Sequence, residues 1–103
     1  MKITVKPGAV TELQKINLTQ DEGIRIEAIF IGSCSIYAEY NLKISRIQQQ
    51  DERFTIHGIP FIVSNESQKH LYHSIYVDYN PNLGYKLSSD EEVYRYNLQL
   101  IRE

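Results

Sequence analysis

The chain has 103 residues with 11 basic and 13 acidic side chains, a net charge of −2. That length suits one hydrophobic core, and the balance gives no electrostatic reason to expect nucleic acid or an anionic membrane as a partner. No stretch approaches the ~20 apolar residues of a membrane span. The N-terminus, MKITVKPG, lacks the apolar core of a secretory leader, and one cysteine excludes an internal disulfide. The expectation is a single domain over residues 1–103 in a reducing cytoplasm.

Eight tyrosines and no tryptophan tilt the chain towards β structure, because a tyrosine ring packs on a sheet while its hydroxyl reaches water. Met1 to Val5 alternates on Ile3 and Val5 and predicts a short strand. Lys6 to Leu18 predicts an amphipathic helix of about three turns, started by Pro7, with Val10, Leu13 and Ile16 or Asn17 on one face. In IRIEAIFIG, Ile24, Ile26, Ala28 and Phe30 share a face, and Ile29 and Ile31 make the far end apolar on the other. This strand is expected to begin half-exposed and end buried on both sides. It leads into Gly32-Ser33-Cys34-Ser35, whose small residues permit a sharp turn or bulge.

IYAEYNLKISRI alternates most clearly of all, and polar QQQDE after it reads as a loop or strand end. Apolar positions Phe54, Ile56 and Ile59, Phe61, Val63 flank His57-Gly58, the pattern of a β-hairpin. Pro60 is then expected to face away from the ladder. SNESQKHLYH predicts a short helix capped by Ser64 or Asn65. A strand, a turn at Asn80-Pro81-Asn82 and another strand follow. The last strand would put Tyr94, Tyr96, Leu98 and Leu100 on one face. The sum is a mainly β (or α+β) domain of seven to eight mostly antiparallel strands with two short helices.

Chemistry-bearing patterns are few. His70 and His73 stand at i and i+3 on the second predicted helix, with Glu66 one turn earlier. That spacing can serve a metal, although a solvated helix face looks the same. His57 reads as a turn residue. There is no glycine-rich phosphate loop and no serine in a nucleophile elbow. Asp90-Glu91-Glu92 reads as a solvated turn, and Tyr94 with Tyr96 as packing, since no basic groove accompanies them. A free cysteine is most often a small buried hydrophobe, so from the residues alone Cys34 is either a bend residue or a ligand.

The order of several short motifs resembles the HesB-like family of A-type iron–sulphur cluster assembly proteins, especially a short branch in Gram-positive bacteria. The matching residues are Gly23-Ile24-Arg25, Ser33-Cys34-Ser35, Tyr40, Gly58, Val63, Ser67 with Leu71, Asp78-Tyr79 and Gly84-Tyr85. They are colinear from Pro7 to Leu87. The resemblance implies a distorted β-sandwich or half-barrel and an accessory role in cluster biosynthesis, as scaffold or carrier. It also implies Cys34 as a ligand for iron or an iron–sulphur cluster, with a second copy and assembly proteins as partners.

One departure matters. The family closes with Cys-Gly-Cys, whereas this chain ends SSDEEVYRYNLQLIRE. The carry-over therefore reaches Cys34 alone, and one thiolate cannot complete a Cys₄ shell. The alternative is a fold that has lost its metal and become a protein-interaction module, its last strand covering the core or pairing with another chain. An enzyme with a cysteine nucleophile is a third reading and would need a base beside Cys34.

Overall fold

A computed structural model of the chain describes residues 1–31 and 37–103. Its elements are β1 (Lys2–Val5), α1 (Pro7–Leu13), β2 (Glu22–Ile31), β3 (Tyr37–Arg46), β4 (Asp51–Ile56), β5 (Ile59–Ser64), α2 (Asn65–Gln68), β6 (Ser74–Asn80), β7 (Gly84–Ser89), β8 (Val93–Leu98) and β9 (Leu100–Arg102). The strands form two sheets, ordered β1-β6-β7-β8 and β4-β5-β2-β3-β9. Their inner faces and α1 share one apolar cluster, in which Ile75, Val77 and Leu87 of the first sheet meet Ile24, Phe61 and Leu42 of the second. The expected mainly β sandwich with two short helices is borne out. Among the described residues, neither sheet closes into a barrel. Among the described residues, no helix is long and apolar enough to cross a membrane.

Local signals are realised in detail. The β4–β5 hairpin turns through His57 (φ 53°) and Gly58 (φ 77°), the two left-handed residues of a type I′ turn. Histidine tolerates that region better than most residues, and glycine takes it freely. Pro60 lies on an inner strand, but the ladder from β5 to β2 begins only at Phe61, so its missing N–H breaks no bond there. Ser64 caps α2, its Oγ accepting from the Ser67 amide at 3.0 Å.

Helix α1 starts at Pro7 as expected but runs two turns, not three. After Gln14 the amides of Lys15 and Ile16 reach back only three residues, to the Glu12 and Leu13 carbonyls. That tightening ends the helix while still bringing Ile16 against the core.

Two differences from the sequence reading concern topology. Among the described residues, three of the seven strand pairings are parallel: β1 with β6, β2 with β5 and β3 with β9. Antiparallel pairs are therefore a narrow majority. The expected last strand is also divided into two. Its ladder to β7 carries register shifts, and Asn97 takes φ 61°, so the chain leaves the first sheet at Leu98 and joins the second at Leu100. The bulges break the alternation: Leu98 is buried and Tyr94 half-buried, as expected, while Tyr96 is 61% exposed.

The β6–β7 turn makes a testable demand. Gly84 has φ 91°, and a Cβ there would lie 2.7 Å from the Leu98 carbonyl oxygen. Gly84→Ala is expected to cost about 1–3 kcal/mol, from left-handed strain together with the clash against β8. Chemical denaturation checks this, and a neutral substitution would mean that β8 yields freely.

Candidate functional site at the end of the β2–β3 hairpin

Strands β2 and β3 pair without a shift over ten residues, from Glu22 with Arg46 to Ile31 with Tyr37. Cys34 is the middle residue of the five that join this last pair, and it lies outside the described residues. What can be built is the surface from which that connection leaves.

The base of β2 is enclosed, since β5 pairs beside it at Ile24 and Arg25. Past that point β5 no longer accompanies it, and α2 takes over: the Ala28 amide donates to Ser67 Oγ at 3.1 Å, both groups buried. Beyond Ala28 the cover supplied by the described residues is only partial. Ile29 is 43% and Phe30 50% exposed. The expectation that β2 ends buried on both faces is therefore reversed. It starts enclosed and ends open.

Beside Phe30 the structure sets one of the two histidine candidates. The His70 ring stacks on Phe30 with centroids 6.0 Å apart and 22° between planes. Together with Glu27, Ser64, Glu66 and Ser67 they line a cleft of about 320 Å³. Its carboxylates are engaged. Glu27 accepts from Lys43 at 2.9 Å and from Asn41 at 3.0 Å. Glu66 is held by Lys69 at 3.0 Å, whose hydrogen bond and charge keep its carboxyl below the usual range.

His73 is elsewhere. Helix α2 ends at Gln68, so neither His70 nor His73 is helical, and the expected i, i+3 pair on one helix face does not form. The His73 carbonyl instead accepts from the Lys2 amide at 2.7 Å, at the head of the β1–β6 pair. Among the described residues no three of His, Cys, Asp and Glu come together in a way that could hold a metal ion.

Next to this end lies an aromatic group of which the sequence singled out only Tyr94 as packing. Tyr40 and Tyr94 have centroids 4.6 Å apart, and Tyr94 Oη accepts from the Tyr72 amide at 2.7 Å. Burial, and then the nearby Glu92 charge, raise the Tyr40 hydroxyl above its ordinary pKa. The group ties β3 and β8 to the segment that carries His70. A larger cleft, about 750 Å³, is at the other end of β2, between the chain after α1 and the β4–β5 hairpin. His57 lines that cleft and is remote in sequence from the hairpin end.

Sequence reasoning missed one charged constellation altogether. Arg25 is buried in β2 and donates through Nη1 and Nη2 to both Asp51 carboxylate oxygens at 2.7 Å. Its Nε donates to Ser45 Oγ at 3.1 Å and Nη2 also to the Arg46 carbonyl at 3.0 Å. The Gln48 amide donates to Asp51 Oδ2 at 2.7 Å. Burial alone would raise the Asp51 carboxyl; the hydrogen bonds from Arg25 and Gln48 and the guanidinium charge outweigh it and hold the carboxyl below its ordinary value. The available signal was an arginine between two isoleucines that point into the core, in the Gly23-Ile24-Arg25 motif. This pair fixes the base of the hairpin whose far end carries Cys34.

The sequence model of a family described as iron–sulphur cluster biosynthesis matches residues 1–102. Among solved structures, a Lactobacillus acidophilus protein provisionally assigned to Fe-S biosynthesis superposes with a TM-score of 0.70 at 17% identity, covering 99% of this chain and 90% of that one. A Lactobacillus salivarius protein with the same provisional assignment, described as having a novel fold, gives 0.69 at 18% identity over 100% of both chains. At these identities the likeness establishes the fold. No curated protein matches the sequence.

Proposed function

The chain belongs to the iron–sulphur cluster biosynthesis family, and from that premise we propose that it is a cytoplasmic accessory of cluster assembly, with Cys34 as its one thiolate for iron or a cluster carried as cargo. Family membership together with the position of Cys34 in the chain carries the reading. Cys34 is three residues in sequence from both Ile31 and Tyr37, the last pair of the β2–β3 ladder. Its thiol would bind as the thiolate, the form in which cysteine is both ligand and nucleophile.

The donor set limits the role. One thiolate per chain does not make a resident Cys₄ site, and the described residues supply no ready triad of other ligands. The cargo is therefore shared, with the remaining donors coming from a second chain, an assembly protein or a small thiol. Transient holding as a scaffold or carrier suits such an incomplete site better than permanent binding. His70, stacked on Phe30, is the imidazole on this surface best situated to assist; His73 is not.

A metal-free interaction module is the second reading, favoured by the same lack of companion ligands and by the exposed Ile29 and Phe30. Reconstitution with ferrous iron and sulphide without oxygen separates the two. The wild-type chain is expected to gain visible cluster absorption and Cys34→Ser to stay colourless. A colourless wild type would favour the interaction module.

A further inference from the structure

The ladder between β5 and β2 holds only Ile24 with Phe61 and Arg25 with Ile62. Below it, the β4–β5 turn and the chain after α1 face one another across the cleft of about 750 Å³. That size falls within the roughly 300–1,000 Å³ of small-molecule sites. Ile16, Leu18 and Phe54 are half-buried, each packing against the core while lining the cleft. The walls are fastened across it. Gln14 Nε2 donates to the His57 carbonyl at 3.4 Å, and Arg102 Nη2 to the Asn17 carbonyl at 2.9 Å. The site is thus formed before any ligand arrives, which lowers the ordering cost of binding.

Its unspent charge is positive. Among the lining residues the one carboxylate, Glu22, is engaged by Arg102. Arg53 also lines the cleft, exposed on β4 at the edge of its sheet. It has no ion-pair partner among the described residues. Its charge is felt at Asp51, but both oxygens of that carboxylate are already held by Arg25.

We propose that this cleft binds a small monocarboxylate with an apolar body, Arg53 taking the carboxylate and the wall of Ile16, Leu18 and Phe54 the hydrocarbon. A guanidinium offers parallel N–H donors that match the two oxygens of a carboxylate. A neutral or cationic amphiphile would leave that charge unanswered. A dianionic phosphate ester would call for a second cation, and no other lysine or arginine lines the cleft among the described residues. The site is at the opposite end of β2 from the hairpin that carries Cys34 and stands apart from the cluster reading.

Amide chemical-shift titration of the wild-type chain tests the proposal, with decanoate beside decanol and decyltrimethylammonium as probes. Decanoate is expected to bind saturably, its shifts concentrated in residues 14–22 and 53–60. Decanol and decyltrimethylammonium should bind about tenfold more weakly or worse, the loss expected for one charge-assisted contact. Arg53→Gln should weaken decanoate by a similar factor, leave decanol as it was and keep the melting temperature. Leu18→Ser should weaken decanoate and decanol alike. The absence of saturable decanoate binding, shifts centred elsewhere, or decanoate bound no more tightly than decanol by the wild-type chain overturns it; so does equal decanoate affinity in a folded Arg53→Gln.

Discussion

Replacing Asp51 by asparagine is expected to lower the free energy of unfolding by about 3–5 kcal/mol, because it strips a buried charge of its partner. Asparagine keeps the shape but leaves the Arg25 guanidinium without a counter-charge, in a site where its own side chain is 9% and that of Asp51 0% exposed. A lower urea midpoint at unchanged slope is the expected reading. Replacing both partners by apolar residues, Arg25→Met with Asp51→Leu, should recover most of the loss, since the desolvation cost disappears along with the attraction. A loss of ~1 kcal/mol or less for Asp51→Asn would reduce the pair to the standing of a surface ion pair.

The same pair predicts a pH dependence with a definite sign. The folded-state pKa of Asp51 lies below its ordinary value of 3.8, so the unfolded chain binds the proton more readily. The stabilisation is present in full above that ordinary value and is lost as pH falls through the folded-state pKa. Acid titration of wild type should show this fall, and Asp51→Asn should lack it. Glu22, held by Arg102 at the end of β9, is shifted in the same direction by that hydrogen bond; the Arg102 side chain is 46% exposed, so the pair serves as a salt-sensitive contrast.

Truncating Phe61 to alanine is expected to cost a further about 3–5 kcal/mol, with a melting temperature lower by on the order of 20 °C. Phe61 is 0% exposed and stands in register with Ile24 of β2 and Phe54 of β4, so the cavity would open where three strands meet. Phe30→Ala makes the same chemical change at a side chain 50% exposed. It is expected to cost less than about 1 kcal/mol. Comparable losses at the two positions would contradict the open end assigned to β2.

That contrast marks how far the sequence could be read. Local chemistry was legible: His57-Gly58 for the hairpin, Ser64 for the cap, Asn80 to Gly84 for the turn, the alternation of β3. Each of those structures is decided by neighbouring residues. Periodicity also grouped Phe30 with Ile24 and Ile26, but it reports which residues share a face and not whether anything lies upon it. The length of β5 and the placement of α2 decide that, and both are distant in sequence. The parallel pairings of β1, β5 and β9 were hidden for the same reason. The break at Asn97 carried neither glycine nor proline to mark it.

The candidate site divides along the same line. Its motif was visible because Gly23-Ile24-Arg25 and Ser33-Cys34-Ser35 stand in family order, and the family is now established over residues 1–102. The buried ion pair beneath it was not, since Arg25 and Asp51 are 26 residues apart and Asp51 sits in a stretch that reads as polar loop. The two histidines read as one helical pair are parted by a helix that stops two residues before the first of them. Only His70 reaches the hairpin end.

The central claim is that Cys34 holds iron. Iron and acid-labile sulphide per chain, measured after anaerobic reconstitution and gel filtration of wild type beside Cys34→Ser, test it most directly. The account predicts both elements bound to wild type and neither to Cys34→Ser. Equal retention by the two chains, or none by either, would contradict it.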